Sequence, residues 1–264
     1  MSVTVTALHT AAVKGTRIRS VERVVLDERG ATGDRKFFVA DEQGRMRNGK
    51  QLGSLQAIVA HFEPPRLALE FPDGSIVDGE IELGESLTAR FFSHQVTGRQ
   101  LLGPWSQALS DFCGLPLRLL ESGSAVDRGA KGPVSLISRG SLRRLGEQAG
   151  GEPLDVRRFR MLIEVDGVAP HAEDGWLGQR LRVGTAILRF DGNVGRCLVT
   201  SRDPETGEVT VPTLDLLRAY RTGLEATEPL PFGIYGRVLR PGTVSLGDTV
   251  EPAAELTAER RAAG

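Results

Sequence analysis

This chain of 264 residues contains few aromatic side chains and has almost equal numbers of positive and negative charges. Aromatic residues make up 5% of the sequence, which argues against a surface that stacks nucleic-acid bases. The formal net charge is −1, so no overall field draws the chain to nucleic acid or to an anionic membrane. We therefore expect neither nucleic acid nor a membrane among its partners.

Cysteine is equally rare, since Cys113 and Cys197 are the only two in the sequence. Two cysteines give no disulfide framework and cannot complete a cysteine-rich metal site. No apolar run approaches the ~18–20 residues of a membrane-spanning helix, and the N-terminus lacks the pattern of a signal peptide. We therefore expect a reducing, cytoplasmic location.

Several catalytic motifs are also missing from the sequence. The chain has no phosphate-binding G-x-x-x-x-G-K-[ST] loop, and no G-x-G-x-x-G lies between a strand and a helix. A G-x-S-x-G nucleophile elbow is absent, and the four histidines lack the spacing of a zinc site. These absences argue against a nucleotide-binding enzyme, a serine hydrolase and a zinc enzyme.

The sequence does contain many short runs in which apolar and polar residues alternate, separated by turns. Val3, Val5 and Ala7 are the apolar positions of the first such run. Helical patterns are few, and they cover residues 105–112, 138–148 and 213–220. Many short strands without a βαβ rhythm predict a mainly β (α+β) fold of the barrel or sandwich kind. We expect a first β domain over residues 1–95, a second over 96–252 and a tail over 253–264.

Two features of the second domain suggest a binding site. Residues 158–165 read as a strand, so Arg158 and Arg160 would share one face, and they would form an anion site if that face meets a cavity. Cys197 lies at the centre of a glycine-rich loop, residues 191–207, and is flanked by Arg196. The residues alone leave open whether this cysteine is a metal ligand, a nucleophile or a packing residue. Cys113, on the apolar side of its helix, is expected to be a buried, inert thiol.

Longer motifs carry a resemblance to a known family. The second domain resembles the MOSC family, named for the C-terminal domain of molybdenum cofactor sulfurase, and the first resembles the β-barrel domain that accompanies it. The most specific motif is the cysteine run from Gly195 to Gly207, which is similar to the family's Arg-Cys-x-x-Thr-Thr-x-Asp-Pro-x-Thr-Gly. The other matching stretches are Gly33-Asp-Arg35, Asp155-Val-Arg-Arg-Phe-Arg160, Glu173-Asp-Gly-Trp-Leu-Gly178, Phe232-Gly-Ile-Tyr-Gly236 and Pro241-Gly-Thr-Val-Ser-Leu-Gly-Asp248.

The resemblance implies a β-barrel MOSC domain with a few short helices, a smaller N-terminal β-barrel-like domain and a molybdenum-pyranopterin cofactor. In the amidoxime-reducing branch, the cysteine of this loop ligates molybdenum, and Cys197 occupies that position. The residues that would bind the pterin or its phosphate are Lys14, Arg35, Arg158, Arg160, Asn193, Arg196 and Thr200.

The implied activity is reduction of N-hydroxylated small molecules, with electrons from a separate ferredoxin, cytochrome or flavin reductase. Two alternatives stay open: Cys197 carries a persulfide and transfers sulfur, or the protein binds the cofactor without turnover. The chain departs from the branch at Gly15, where serine is usual, and at Met161-Leu162, where Pro-Asn is usual. These departures border the expected pterin pocket.

Overall fold

The computed structural model describes residues 2–91, 94–123, 132–151 and 153–253. Strands account for 46% of the structure, which confirms the mainly β prediction. The strands are β1 (Thr4–Thr10), β2 (Arg19–Val21), β3 (Arg23–Asp27), β4 (Gly30–Ala31), β5 (Phe37–Asp41), β6 (Met46–Arg47), β7 (Val59–Glu63), β8 (Arg66–Glu70), β9 (Ile76–Glu80), β10 (Glu82–Phe91), β11 (His94–Leu102), β12 (Leu117–Ser122), β13 (Val134–Ser138), β14 (Ile163–Asp166), β15 (Arg180–Val183), β16 (Ala186–Gly195), β17 (Pro231–Arg240), β18 (Gly242–Ser245) and β19 (Val250–Pro252).

Three α-helices lie within the described ranges: α1 (Trp105–Cys113), α2 (Arg139–Gln148) and α3 (Thr213–Arg221). All three match the helical patterns of the sequence. Gly114 ends α1 in the left-handed conformation, with φ of 70°, and the Ser138 hydroxyl caps α2 by accepting from the Ser141 amide at 3.1 Å. No helix in the described ranges has the length and apolar character needed to cross a membrane.

The largest sheet has eight strands in the order β19-β15-β16-β17-β13-β14-β1-β2. Its core includes Leu8, Leu188, Phe190 and Ile234, each with no exposed side chain, because alternate residues of each strand point inward. Strands β13 and β14 run parallel, and α2 lies between them in the chain. The sequence pattern did not indicate this one crossover unit.

A second sheet, in the order β10-β11-β12-β5-β6, packs with the three-stranded sheet β7-β8-β9 around α1. Trp105 of α1 is 1% exposed, and its indole nitrogen donates to the Leu67 carbonyl at 3.0 Å. The buried indole therefore satisfies its one donor while it fills this core.

Strand pairing joins the two halves of the chain. Strand β1 pairs with β14, and β3 pairs with β18 in the small sheet β18-β3-β4. The β10–β11 hairpin spans residue 95. The domain division near residue 95 stays a prediction, as does the separate tail, of which residues 254–264 lie outside the described part.

The predicted strand over residues 158–165 is wrong in its first half. Residues Val156–Phe159 form a 3₁₀ turn, and regular pairing begins only at Ile163. The Asp155 carboxylate caps this turn by accepting from the Arg157 amide at 2.9 Å. Arg160 then adopts a left-handed φ of 54°. Arg158 and Arg160 consequently do not share the face of a strand.

Candidate functional site: a cationic cavity at the Cys197 turn

A cavity of about 500 Å³ opens where β16 ends, between the two halves of the chain. Its lining includes residues from the first 50 positions and from the stretches 158–162 and 194–200. Seven of the eight predicted site residues border it: Lys14, Arg35, Arg158, Arg160, Arg196, Cys197 and Thr200.

Cys197 is exposed and begins the 3₁₀ turn Leu198–Ser201. Both the amide and the hydroxyl of Thr200 donate to the Cys197 carbonyl, at 3.1 and 3.0 Å. The expected loop is shorter than the sequence indicated, because β16 continues to Gly195. The thiol therefore stands on a turn that is fixed by two hydrogen bonds, directly after a strand.

Three cations from distant parts of the sequence meet at this cavity. Lys14 follows β1, is 7% exposed and has its ammonium 4.8 Å from the centre of the Phe91 ring. Arg35 has a left-handed φ of 48°, pairs with Asp34 and donates from Nη2 to the Arg160 carbonyl at 2.7 Å. The two left-handed arginines thus hold each other in place, and backbone strain of this kind concentrates at functional sites.

Crowding of these charges shifts their proton affinities. Burial lowers the pKa of Lys14 well below its ordinary value, and Arg35 and Arg160 lower it further by repulsion. Burial, followed by repulsion from Arg35, lowers the pKa of Arg160 to about 9. At neutral pH Arg160 still carries its charge, and its Nη2 is buried without a hydrogen-bond partner. An anion bound here would reduce the repulsion among the cations and would accept a hydrogen bond from the Nη2 of Arg160.

Arg158 and Arg196 border the cavity but hold protein atoms. Arg158 donates to the Arg202 carbonyl at 2.6 Å. Arg196 donates from Nε to the Phe232 carbonyl at 2.8 Å and from Nη1 to the Phe159 carbonyl at 2.9 Å. Both arginines therefore fix the segments around the Cys197 turn.

Asn193 is the one predicted residue that does not line the cavity. It is 4% exposed within β16, and its side-chain Nδ2 donates to Asp174 Oδ1 at 3.1 Å. Asp174 also pairs with Arg221 of α3 at 2.6 Å. Asn193 lies inside β16, which ends two residues later at Gly195. Its side chain therefore links the sheet, through Asp174, to α3.

Two family models match the chain: the MOSC domain over residues 99–251 and the MOSC N-terminal beta barrel domain over residues 2–114. The chain belongs to the MOSC family. A mitochondrial amidoxime-reducing component 1 of Xenopus laevis is 27% identical over 84% of this chain and 72% of its own length. The mitochondrial amidoxime reducing component 2 of Bos taurus is 26% identical, over 90% of this chain and 78% of its own length.

A molybdenum cofactor sulfurase of Anopheles gambiae is 25% identical over 70% of this MOSC chain and 28% of its own length. The relatives therefore carry two kinds of name, one for a reductase component and one for a sulfurase. The name of the sulfurase refers to the molybdenum cofactor, with which the MOSC family is associated.

The donor set of this MOSC cavity fits an anionic group that carries a soft metal. The exposed Cys197 offers a soft thiolate ligand, and the unpartnered Nη2 of Arg160 offers a donor to a phosphate oxygen. Among the described residues, no three His, Cys, Asp or Glu side chains cluster as a metal site.

The residues that depart from the family pattern also border the cavity. Met161 and Leu162 are each 1% exposed, and the Met161 sulfur accepts from Arg196 Nη2 at 3.0 Å. Gly15 has a φ of +99°, a conformation that side chains rarely adopt. The departures are thus accommodated by packing, with Met161 held by the arginine that precedes Cys197.

Sequence reasoning missed several residues of the cavity, including Asp34, Phe91 and Glu228. Asp34 belongs to the Gly33-Asp-Arg35 motif, so that motif was the available signal. Glu228 lies in a stretch of mostly exposed residues between α3 and β17, and no pattern in the sequence marks it.

Proposed function

We propose that this protein binds a molybdenum-pyranopterin cofactor through Cys197 and reduces N-hydroxylated small molecules. One observation supports this most directly: an exposed thiol shares a cavity with the buried Lys14 and the partly buried Arg35 and Arg160. A thiolate suits molybdenum as a soft ligand, and clustered cations suit a phosphate.

Each residue has a definite task in this proposal. Cys197 ligates the metal, and its turn is held by Thr200. Lys14, Arg35 and Arg160 bind the phosphate, which offsets their mutual repulsion. The bound group supplies two-electron chemistry at molybdenum, while the protein orients it and limits access by water.

The proposal includes two further parts. Electrons come from an external protein of the ferredoxin, cytochrome or flavin reductase type, and the substrate enters through the open side of the cavity. The cytoplasmic location stays a prediction, since the vertebrate relatives carry mitochondrial names.

The decisive experiment measures molybdenum and pterin in protein purified from a host that makes the cofactor. We expect about one of each per chain, and a Cys197→Ser variant that loses metal and activity. Cys113→Ser is the matched control, because that half-buried thiol lies 3.8 Å from Ser54 Oγ and burial raises its pKa. A Cys197→Ser variant with full metal and activity would contradict the proposal.

Sulfur transfer is the second candidate, and the exposure of Cys197 favours it. A persulfide carrier needs an accessible cysteine near cations, and the exposed Cys197 borders the same cavity as Lys14 and Arg160. Mass spectrometry that finds one extra sulfur on Cys197, in protein without molybdenum, would support transfer. Tight cofactor binding without reduction of any N-hydroxylated compound would instead indicate a carrier of the cofactor.

A further inference from the structure

The turn that carries Cys197 is tied to the start of helix α3. Thr213, the first residue of α3, has no exposed surface, and its hydroxyl donates to the Thr200 carbonyl at 2.9 Å. A threonine hydroxyl has a single proton to donate, and this bond uses it. A buried side chain therefore joins the first turn of α3 to the Cys197 turn.

The backbone just before α3 binds the same turn. The amides of Thr210 and Val211 donate to the Ser201 carbonyl at 2.9 and 3.2 Å. These donors belong to the main chain, so a substitution at Thr213 leaves them in place. The Thr213 hydroxyl adds a side-chain contact that can be removed by itself, and it acts on the residue that binds Cys197.

Thr200 transmits this constraint to Cys197. Its amide and its hydroxyl both donate to the Cys197 carbonyl, at 3.1 and 3.0 Å. Cys197 has an extended backbone, with φ of −132° and ψ of 178°. Rotation about its Cα–C bond would turn the carbonyl away from both donors. The two bonds therefore fix the direction in which the Cβ and the thiol leave the backbone.

Thr213 contributes to this turn rather than to the capping of its own helix. Pro212 precedes it, and a proline side chain has no oxygen to accept from the amides of the first helical turn. A fully buried hydroxyl is costly unless it is hydrogen-bonded. The bond to Thr200 removes that cost, which explains how a polar side chain is accommodated at a position with no exposure.

We infer that Thr213 is a positioning residue for the sulfur of Cys197. Its hydroxyl fixes the peptide that follows Thr200, so that both donors of Thr200 stay directed at the Cys197 carbonyl. The inference rests on the proposed function, in which this sulfur ligates molybdenum. A small displacement of a reacting group is enough to slow a reaction severalfold or more, so the bond should affect turnover more than substrate binding.

Three variants isolate the hydroxyl of Thr213. Thr213→Val keeps the shape of the side chain and removes the donor, whereas Thr213→Ser keeps the donor. Thr222→Val is the matched control at the other end of α3, where an exposed threonine hydroxyl donates to the Arg218 carbonyl at 2.6 Å.

The first measurement uses cofactor-free protein. We expect hydrogen exchange of the Thr200 amide, followed by NMR, to accelerate by about five- to tenfold in Thr213→Val. Amides of β17 should accelerate less, because the effect is local. Thr213→Ser and Thr222→Val should exchange at the wild-type rate at Thr200. Unchanged exchange in Thr213→Val, or equal acceleration at Thr200 and in β17, would overturn the inference.

The second measurement uses holoenzyme with benzamidoxime as the substrate. For Thr213→Val we expect kcat per bound molybdenum to fall by about five- to tenfold, with KM within about twofold of the wild type. The g values of the molybdenum(V) resonance should shift in Thr213→Val and return in Thr213→Ser. Wild-type kcat and g values in Thr213→Val would overturn the inference.

The two measurements separate this inference from the proposed function. A wild type that holds no molybdenum, or that does not reduce benzamidoxime, would overturn the proposed function. Exchange at Thr200 in the cofactor-free protein would still decide whether Thr213 fixes the Cys197 turn.

Discussion

Arg196 donates from Nη1 to the Phe159 carbonyl oxygen at 2.9 Å and so joins the Cys197 turn to the turn that ends at Arg160. Its Nη2 reaches the Met161 sulfur at 3.0 Å, and its Nε binds the Phe232 carbonyl at 2.8 Å. One guanidinium therefore connects three segments that border the cavity. The residue directly before the proposed metal ligand acts here as a structural clamp.

Replacement of Arg196 by lysine should remove this clamp. An ammonium is a point charge without the planar fork of a guanidinium, so it cannot reach the three acceptors together. We expect the free energy of unfolding to fall by about 2–3 kcal/mol, measured by urea titration. The control is Arg218→Lys, because Arg218 forms an exposed ion pair with Asp215, and such pairs contribute little to stability. Equal stability of the two variants would show that the clamp contributes nothing.

Lys14 should destabilise the cofactor-free protein. Its pKa in the folded state lies below the ordinary 10.5, so the unfolded chain binds more protons between the two values, and stability rises with pH there. Lys14→Met should therefore be more stable than the wild type at pH 7, by at least about 2 °C in Tm. The advantage should shrink as the pH rises to about 10.5, where lysine is neutral in both states.

Thermal unfolding of cofactor-free protein across this pH range checks the prediction. Lys36→Met is the matched control, because Lys36 pairs with Glu121 at a partly exposed site. The control should show no gain at pH 7. A Lys14→Met variant that is less stable at neutral pH would mean that its partners outweigh the cost of burial. The same variant should hold less cofactor, since the phosphate loses one cation.

Gly15→Ala should destabilise the turn that presents Lys14. Its φ is +99°, and a Cβ there would lie 3.1 Å from Leu55 Cδ1 and 3.2 Å from the Gly49 nitrogen. We expect a loss of about 2–3 kcal/mol in urea unfolding, from backbone strain and close contact together.

Gly74→Ala separates those two causes. Gly74 has a φ of +82°, but no atom lies within 4 Å of the position that a Cβ would take there. This control should lose only the conformational part, about 1 kcal/mol. Equal losses at Gly15 and Gly74 would show that the contacts with Leu55 and Gly49 yield without cost.

Local sequence patterns predicted the mainly β fold and the three helices because each depends on neighbouring residues. Alternation marks a strand such as β1, but it does not specify that β1 pairs with β14, which lies in the other half of the chain. The same limit applies to the site: the convergence of Lys14 and Arg160 entered through the family resemblance, since no spacing rule joins such distant positions.

The errors near the site also have physical causes. Arg160 was placed on a strand because the apolar pattern continues through it, whereas the carboxylate cap at Asp155 favours a 3₁₀ turn. Glu228 carried no signal, because an acidic residue in a polar stretch is usually solvated. Its place at the cavity depends on the amide of Gly195, which only the folded chain brings near.

Asn193→Ala tests the one predicted cofactor residue that lies outside the cavity. The substitution removes the bond from Nδ2 to Asp174 but leaves the Asp174–Arg221 pair, so we expect a loss of about 1 kcal/mol in urea unfolding. Molybdenum content should equal the wild type, because the side chain does not line the cavity and instead donates to Asp174. Lower metal content with unchanged stability would instead restore Asn193 as a cofactor contact, since a purely structural bond affects loading only through stability.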